Sequence, residues 1–208
     1  NSNSYLLSGD LPALYRHSLC KPVSSEGYLK ADLVRTQKFE YVLSKISSKT
    51  LIGICWRSAF SEPVPFIYAK LDELISSLPE GDYCLVNLQY GDFSADIVRI
   101  ESELGVKIHE IPDLNQLEDL DGVAALISCL DLVIAPSSSV LHLSCALGVP
   151  TISTYYPNFR SDARTDPLFG NCLPVLKPDD VFYSSVVAER TGIATRHFLK
   201  FGELPFKN

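Results

Sequence analysis

The sequence predicts an α/β domain: a Rossmann-like parallel sheet of about six strands covered by helices on both faces. Three observations predict it. Short apolar runs rich in β-branched residues recur along the chain, stretches with helical spacing separate them, and polar, turn-forming residues collect directly after the runs. Strand and helix alternating in this way give parallel strands joined by right-handed crossovers, with the sheet buried on both sides.

The elements follow in order. Residues 1–27, "NSNSYLLSGDLPALYRHSLCKPVSSEG", mix Ser, Pro and Gly without sustained periodicity and read as a connector or docking arm, leaving residues 28–208 as the domain. Five strands are expected at "LIGICW" (51–56), "CLVNLQY" (84–90), "VKIHEI" (106–111), "LDLVIA" (130–135) and "PTISTY" (150–155), and a sixth around "CLPVLK" (172–177). Helical spacing marks "PFIYAKLDELISSL" (65–78), "ADIVRIESELG" (95–105), "LDGVAALISCL" (120–130) and "SSVLHLSCALG" (138–148), with a closing helix in "DVFYSSVVAERTG" (180–192).

Composition sets outer limits on function. Hydrophobic content of 46% and charged content of 21% are ordinary for a globular protein, and no apolar run approaches the ~20 residues that span a bilayer. A formal charge of −7 argues against general affinity for nucleic acid or acidic membranes, though a local basic pocket can still hold a phosphate. The six cysteines, at 20, 55, 84, 129, 145 and 172, form no CxxC pair and no Cys/His cluster at zinc spacing. Buried free thiols in a reducing, cytoplasmic compartment are the expectation, with no metal and no cofactor. The lack of methionine, even at position 1, and of a recognisable secretory leader points to a segment of a longer gene product.

In open α/β sheets a ligand sits beyond the carboxyl ends of the strands, where strand order reverses. The chain places "RSAFSEP" (57–63), "GDF" (91–93), "PDLNQLEDLD" (112–121) and "PSSS" (136–139) there. In the last of these, Pro136 ends a strand, Ser137 or Ser138 is a good N-cap, and Gly148 supplies a left-handed end before Pro150 blocks continuation. Backbone N–H groups and the positive end of the helix dipole favour an anion at Ser137, Ser138 and Ser139, with His142 on the next turn. Serine capping alone explains the same residues. Arg57 can meet a diphosphate by a bidentate hydrogen bond; a surface ion pair with Glu62 is its other reading.

Competing uses of such a sheet leave their own marks. Neither GxGxxG nor GxxxxGK[ST] occurs, and "GICWRS" stands in their place, which argues against a dinucleotide oxidoreductase and a P-loop enzyme. A nucleotide-sugar epimerase-like enzyme needs acid/base carboxylates aimed at a sugar. A non-catalytic interaction module needs no nucleotide at all.

"LIGICWRS", "LVNLQYGD" and "DLDGVAALISCLDLVIAPSSSVLHLSCALGVPT", in that order, resemble the C-terminal, donor-binding domain of GT-B glycosyltransferases. The similarity runs over about residues 28–155. It is to the heptosyltransferase-like group and to bacterial transferases that carry tetratricopeptide repeats, distant relations of O-GlcNAc transferase. The resemblance implies a metal-independent glycosyltransferase using a nucleotide-sugar donor and a glycan, lipid or protein acceptor, or a degenerate copy kept for binding or scaffolding. It implies a partner N-terminal or tetratricopeptide-repeat domain that supplies the catalytic base. By position Ser137, Ser138, Ser139 and His142 match the motif that holds the donor diphosphate and neighbouring sugar, and Arg57 and Ser58 match the loop approaching the same phosphates. Gln89 and Tyr90 match the loop near the base, and Asp119 and Asp121 the segment beside the nucleoside; helix capping explains either Asp as well. The sequence departs from the pattern at Ser139, where the heptosyltransferase turn often has Gly, and at Ser144–Cys145. After Tyr156 it follows the pattern loosely, and Arg160 and Arg164 read as surface residues.

Overall fold

The computed structural model describes residues 27–58, 68–154, 171–176 and 182–205. Six strands, β1 (Thr50–Ile54), β2 (Tyr83–Asn87), β3 (Ile108–His109), β4 (Leu132–Ala135), β5 (Thr151–Ser153) and β6 (Cys172–Pro174), form one sheet in the order β3-β2-β1-β4-β5-β6. Every pairing is parallel. The helices are α1 (Leu33–Ile46), α2 (Leu71–Ser77), α3 (Ser94–Leu104), α4 (Leu120–Ile127), α5 (Ser139–Ala146) and α6 (Ser184–Phe201). None of them is long and apolar enough to cross a membrane.

Alternation along the strands explains the layers, because successive side chains leave a strand on opposite faces. Ile52 and Ile54 of β1, with Leu132 and Ile134 of β4, face a core closed by Leu71, Leu74 and Ile75 of α2, Ile97 and Ile100 of α3 and Phe198 of α6. Cys55 and Val86, with Val133 and Ala135, face the other way, onto Phe39 and Leu43 of α1, Leu126 and Ile127 of α4, and Val140 and Leu141 of α5. The central strands are apolar on both faces, so both must be covered. That is why their sequence reads as continuous runs.

Three departures from the expected elements have physical causes. The closing helix runs to Phe201 instead of residue 192, since Thr191 and Thr195 return their hydroxyls to the carbonyls of Val187 and Thr191 at 2.7 and 2.8 Å and so bury as apolar residues. Helix α1 has no counterpart in the sequence reading: it buries only Phe39 and Leu43, while Leu33, Val34 and Tyr41 are exposed, which blurs its periodicity. Strand β3 shrinks to two residues at the sheet edge, paired only as Leu85 with Ile108 and Val86 with His109. The expected arm at 1–27 lies outside the described residues up to 26; where description begins, Tyr28 and Leu29 both donate their N–H groups to Ala146 O at the end of α5, at 2.8 and 2.9 Å.

Candidate functional site

The strand order places the reversal between β1 and β4, so the loops after these strands meet above the centre of the sheet. After β4, Pro136 is buried, Ser137 half-buried and Ser138 buried, while Ser139 is exposed. Ser138 takes the N-cap position with extended backbone, but its hydroxyl does not cap α5: it donates to Pro136 O at 3.2 Å. The first-turn amides of this helix are therefore not served by the side chain of their own cap residue. His142 stands exposed one turn on, its backbone N–H donating to Ser138 O at 3.2 Å. The helix stops as the sequence predicts, with Gly148 at φ 82° just beyond Leu147.

The loop after β1 is built on Gln89. This fully buried side chain accepts the N–H groups of Trp56 at 3.0 Å and Arg57 at 2.9 Å on Oε1, and donates from Nε2 to Arg57 O at 2.9 Å and Tyr90 O at 3.0 Å. With the Cys55 thiol also 3.5 Å from Oε1, both ends of the amide are consumed. Gln89 thus positions the loop that carries Arg57. Tyr90 is buried, with its hydroxyl 3.4 Å from Ser58 Oγ. Burial pushes the Cys55 thiol up to about 12, against the opposing hydrogen bond from Ser138, so this sulfur ties the two central loops together as a neutral thiol.

Arg57 projects its guanidinium onto Asp96 of α3, with Nη2 at 3.1 Å from Oδ2 and a further bond to the carbonyl of Asp92. The same Asp96 oxygen accepts Trp56 Nε1 at 3.1 Å. Arg57 is therefore held at the rim by this pair; Glu62, its partner in the sequence reading, lies outside the described residues, as do Arg160 and Arg164. Asp119 caps α4 by accepting Gly122 N–H at 3.0 Å and takes a two-pronged hydrogen bond from Arg35 of α1. That bond from Arg35, more than the cap, holds the Asp119 carboxyl below the usual range. Asp121 is exposed in the first turn of α4.

A cleft of about 310 Å³ opens at the carboxyl ends of β2 and β3, walled by Tyr90, Phe93, Ile111 and Leu114 and edged by Asn87 and Gln116. Of the residues singled out in the sequence, Tyr90 alone lines it; Arg57, Ser58 and the serine turn lie across β1 and β4. Asn87, Asp96, Gln116 and Arg35 escaped the sequence reading. For Asn87 the available signal was the pair of amide residues ending the apolar run "LVNLQ"; the other three act through partners 29, 39 and 84 positions away. Among the described residues no group of three or more His, Cys, Asp or Glu is placed to hold a metal ion.

The sheet order and its two helix layers define the class: this is the Rossmann-like arrangement found in GT-B glycosyltransferases. Residues 113–172, from the β3–α4 loop through the serine turn to β6, match the sequence profile of Glycosyltransferase family 9 (heptosyltransferase). Protein FlbA of Caulobacter vibrioides is 32% identical over 126 residues, 59% of this chain and 21% of that protein. A family 9 glycosyl transferase from Veillonella parvula superposes with a TM-score of 0.63 at 16% identity, over 85% of this chain and 54% of that one. The E. coli ADP-heptose LPS heptosyltransferase II superposes at 0.61 and 19% identity, over 83% and 53%. The chain thus spans about a fifth of the FlbA relative and about half of each solved structure.

Proposed function

We propose that this chain is the donor-binding half of a metal-independent glycosyltransferase, taking a nucleotide-sugar and passing the sugar to an acceptor held against a second domain. The observation that carries the reading is the start of α5: a helix N-terminus whose own cap residue leaves its amides unserved, beside three serines, at the point where strand order reverses, inside the segment that matches the glycosyltransferase profile. The β2–β3 cleft supplies the complementary half, a slot with Tyr90 and Phe93 in its walls and Asn87, Glu110, Asn115 and Gln116 as polar lining, suited to a nucleobase. Two to three strand spacings of ~4.8 Å separate cleft and serine turn, roughly 12 Å, which suits a nucleoside diphosphate laid across the sheet's carboxyl edge.

On this reading the residues divide the work. Negative charge grows on the departing diphosphate as the bond to the sugar breaks, and the first-turn amides of α5, with the hydroxyls of Ser137 and Ser139, stabilise it without reorganising. Arg57 adds its charge from the facing loop, and its bond to Asp96 sets where that charge sits. His142 lies one turn along α5, on the sugar side. Gln89 and the Arg35–Asp119 pair keep the loops in place. The base for the acceptor, on the same reading, comes from a second domain.

Calorimetric titration with ADP, GDP, UDP and CDP tests this. Saturable binding of at least one is expected, weakened about tenfold or more by Arg57→Ala and by His142→Ala. If none binds, the glycosyltransferase reading falls. Unchanged affinity in both variants removes these residues from the site.

A further inference from the structure

The cleft edge contains a polar group whose state is unusual. Gln116 lies in the β3–α4 loop, and its Nε2 donates to Asn87 O at 3.1 Å. Asn87 is itself locked, its Oδ1 accepting Gln89 N–H at 2.9 Å. The bond to a carbonyl decides which way round the Gln116 amide stands, because the flipped amide would set oxygen against oxygen. Oε1 is left on the other branch of the same planar group, buried and with no donor among the described residues. A buried acceptor without a donor is costly, and native proteins seldom keep one without a use.

We propose that Gln116 is the specificity-determining residue of the cleft, accepting a hydrogen bond from an amino group on the edge of the nucleobase. The inference rests on the nucleotide reading above and sharpens it. Tyr90, Phe93, Ile111 and Leu114 offer contact to the faces of a flat ring but cannot tell one base from another. Gln116 can. One N–H of Nε2 is spent on Asn87 and fixes Oε1 on the other branch, so an oxo group of the base set against Oε1 would meet it oxygen to oxygen. A site holding a buried acceptor for one substrate group rejects the analogue that lacks the donor. Oε1 is buried beside the cleft that Gln116 lines, and turning the amide about its bond to Asn87 is the movement that brings it to the base.

The test compares amino and oxo partners of otherwise equal shape, ADP against IDP and CDP against UDP, by calorimetry on the intact chain. For the ring size that fits, the amino member is expected to bind about tenfold or more tightly than its oxo partner. In Gln116→Leu the amino member alone should weaken, bringing the pair within about twofold. Gln116→Met, closer in length, gives the same readout should the leucine variant fail to fold. An amino preference that survives both substitutions, or wild-type protein that binds both members of each pair equally, overturns the assignment while leaving nucleotide binding intact. Failure to bind any of the four overturns this inference and the nucleotide reading together.

Discussion

Gln89 holds the backbone of Arg57 from both sides: Oε1 accepts the Arg57 N–H at 2.9 Å and Nε2 donates to the Arg57 carbonyl at 2.9 Å. The side-chain amide behaves as an extra peptide group, continuing the β1–β2 pairing past the ends of both strands, where the chain itself has already turned away. The loop that carries Arg57 and Ser58 is thereby fixed by a residue 32 positions downstream.

Replacing that amide should be costly. Gln89→Leu strips partners from the N–H groups of Trp56 and Arg57 and from the carbonyls of Arg57 and Tyr90, and is expected to lower stability by about 2–4 kcal/mol. Urea denaturation would register this as a lower midpoint at unchanged slope. A variant within a few tenths of a kcal/mol of the parent would mean that the loop is held by something else.

The Arg35–Asp119 pair makes a prediction about pH. Asp119 titrates below its unfolded value of about 3.9, so the stability it contributes is complete above that pH and is lost as pH falls through the lower folded value. Arg35→Gln should move the Asp119 midpoint, followed by carboxyl NMR, back upward. A midpoint unmoved by the substitution would assign the depression to the cap from Gly122 instead.

Gly122→Ala ordinarily strengthens a helix by about 1 kcal/mol. Here the added Cβ would fall on Asp119 Oδ2 and lie 2.7 Å from Leu114 Cδ1. The substitution is therefore expected to destabilise, and to raise the Asp119 midpoint by displacing the cap. A higher melting temperature would contradict the packing described at the start of α4.

Thiol chemistry gives an independent check. Cys55 is pushed up to about 12 and Cys129 to about 11, both chiefly by burial, and Cys84 is raised for the same reason. At pH 8 these three thiols are protonated and should resist iodoacetamide until denaturant is added. Mass spectrometry after brief native labelling reads the result directly; rapid modification of Cys55 would show that the junction of the two central loops is open.

Much of the fold was legible because buried parallel strands leave a plain trace. The runs at β1, β2 and β4, and helices α3, α4 and α5, fall within a few residues of where spacing puts them. The serine turn is legible too, since Pro136 and Gly148 bracket α5 by local backbone chemistry alone. Helix α1 and the far half of α6 were not: Leu33 and Val34 are apolar yet exposed, while Thr191 and Thr195 are polar yet buried, and a pattern of hydrophobicity misreads both pairs.

What the sequence determined by itself is the α/β alternation, the edge of the sheet on which polar loops gather, and the helix start at Ser138–Ser139, because each follows from forces acting within a few residues. What only the tertiary structure decided is the division of labour on that edge. Gln89, matched to the loop near the base, holds the loop after β1; Asp119 holds Arg35; and Gln116, one residue of the polar loop 112–121, keeps an acceptor beside the cleft with no donor among the described residues. Whether a polar side chain serves its own chain or a ligand depends on which partners the fold brings within hydrogen-bonding reach, and those partners lie 29 to 84 residues away.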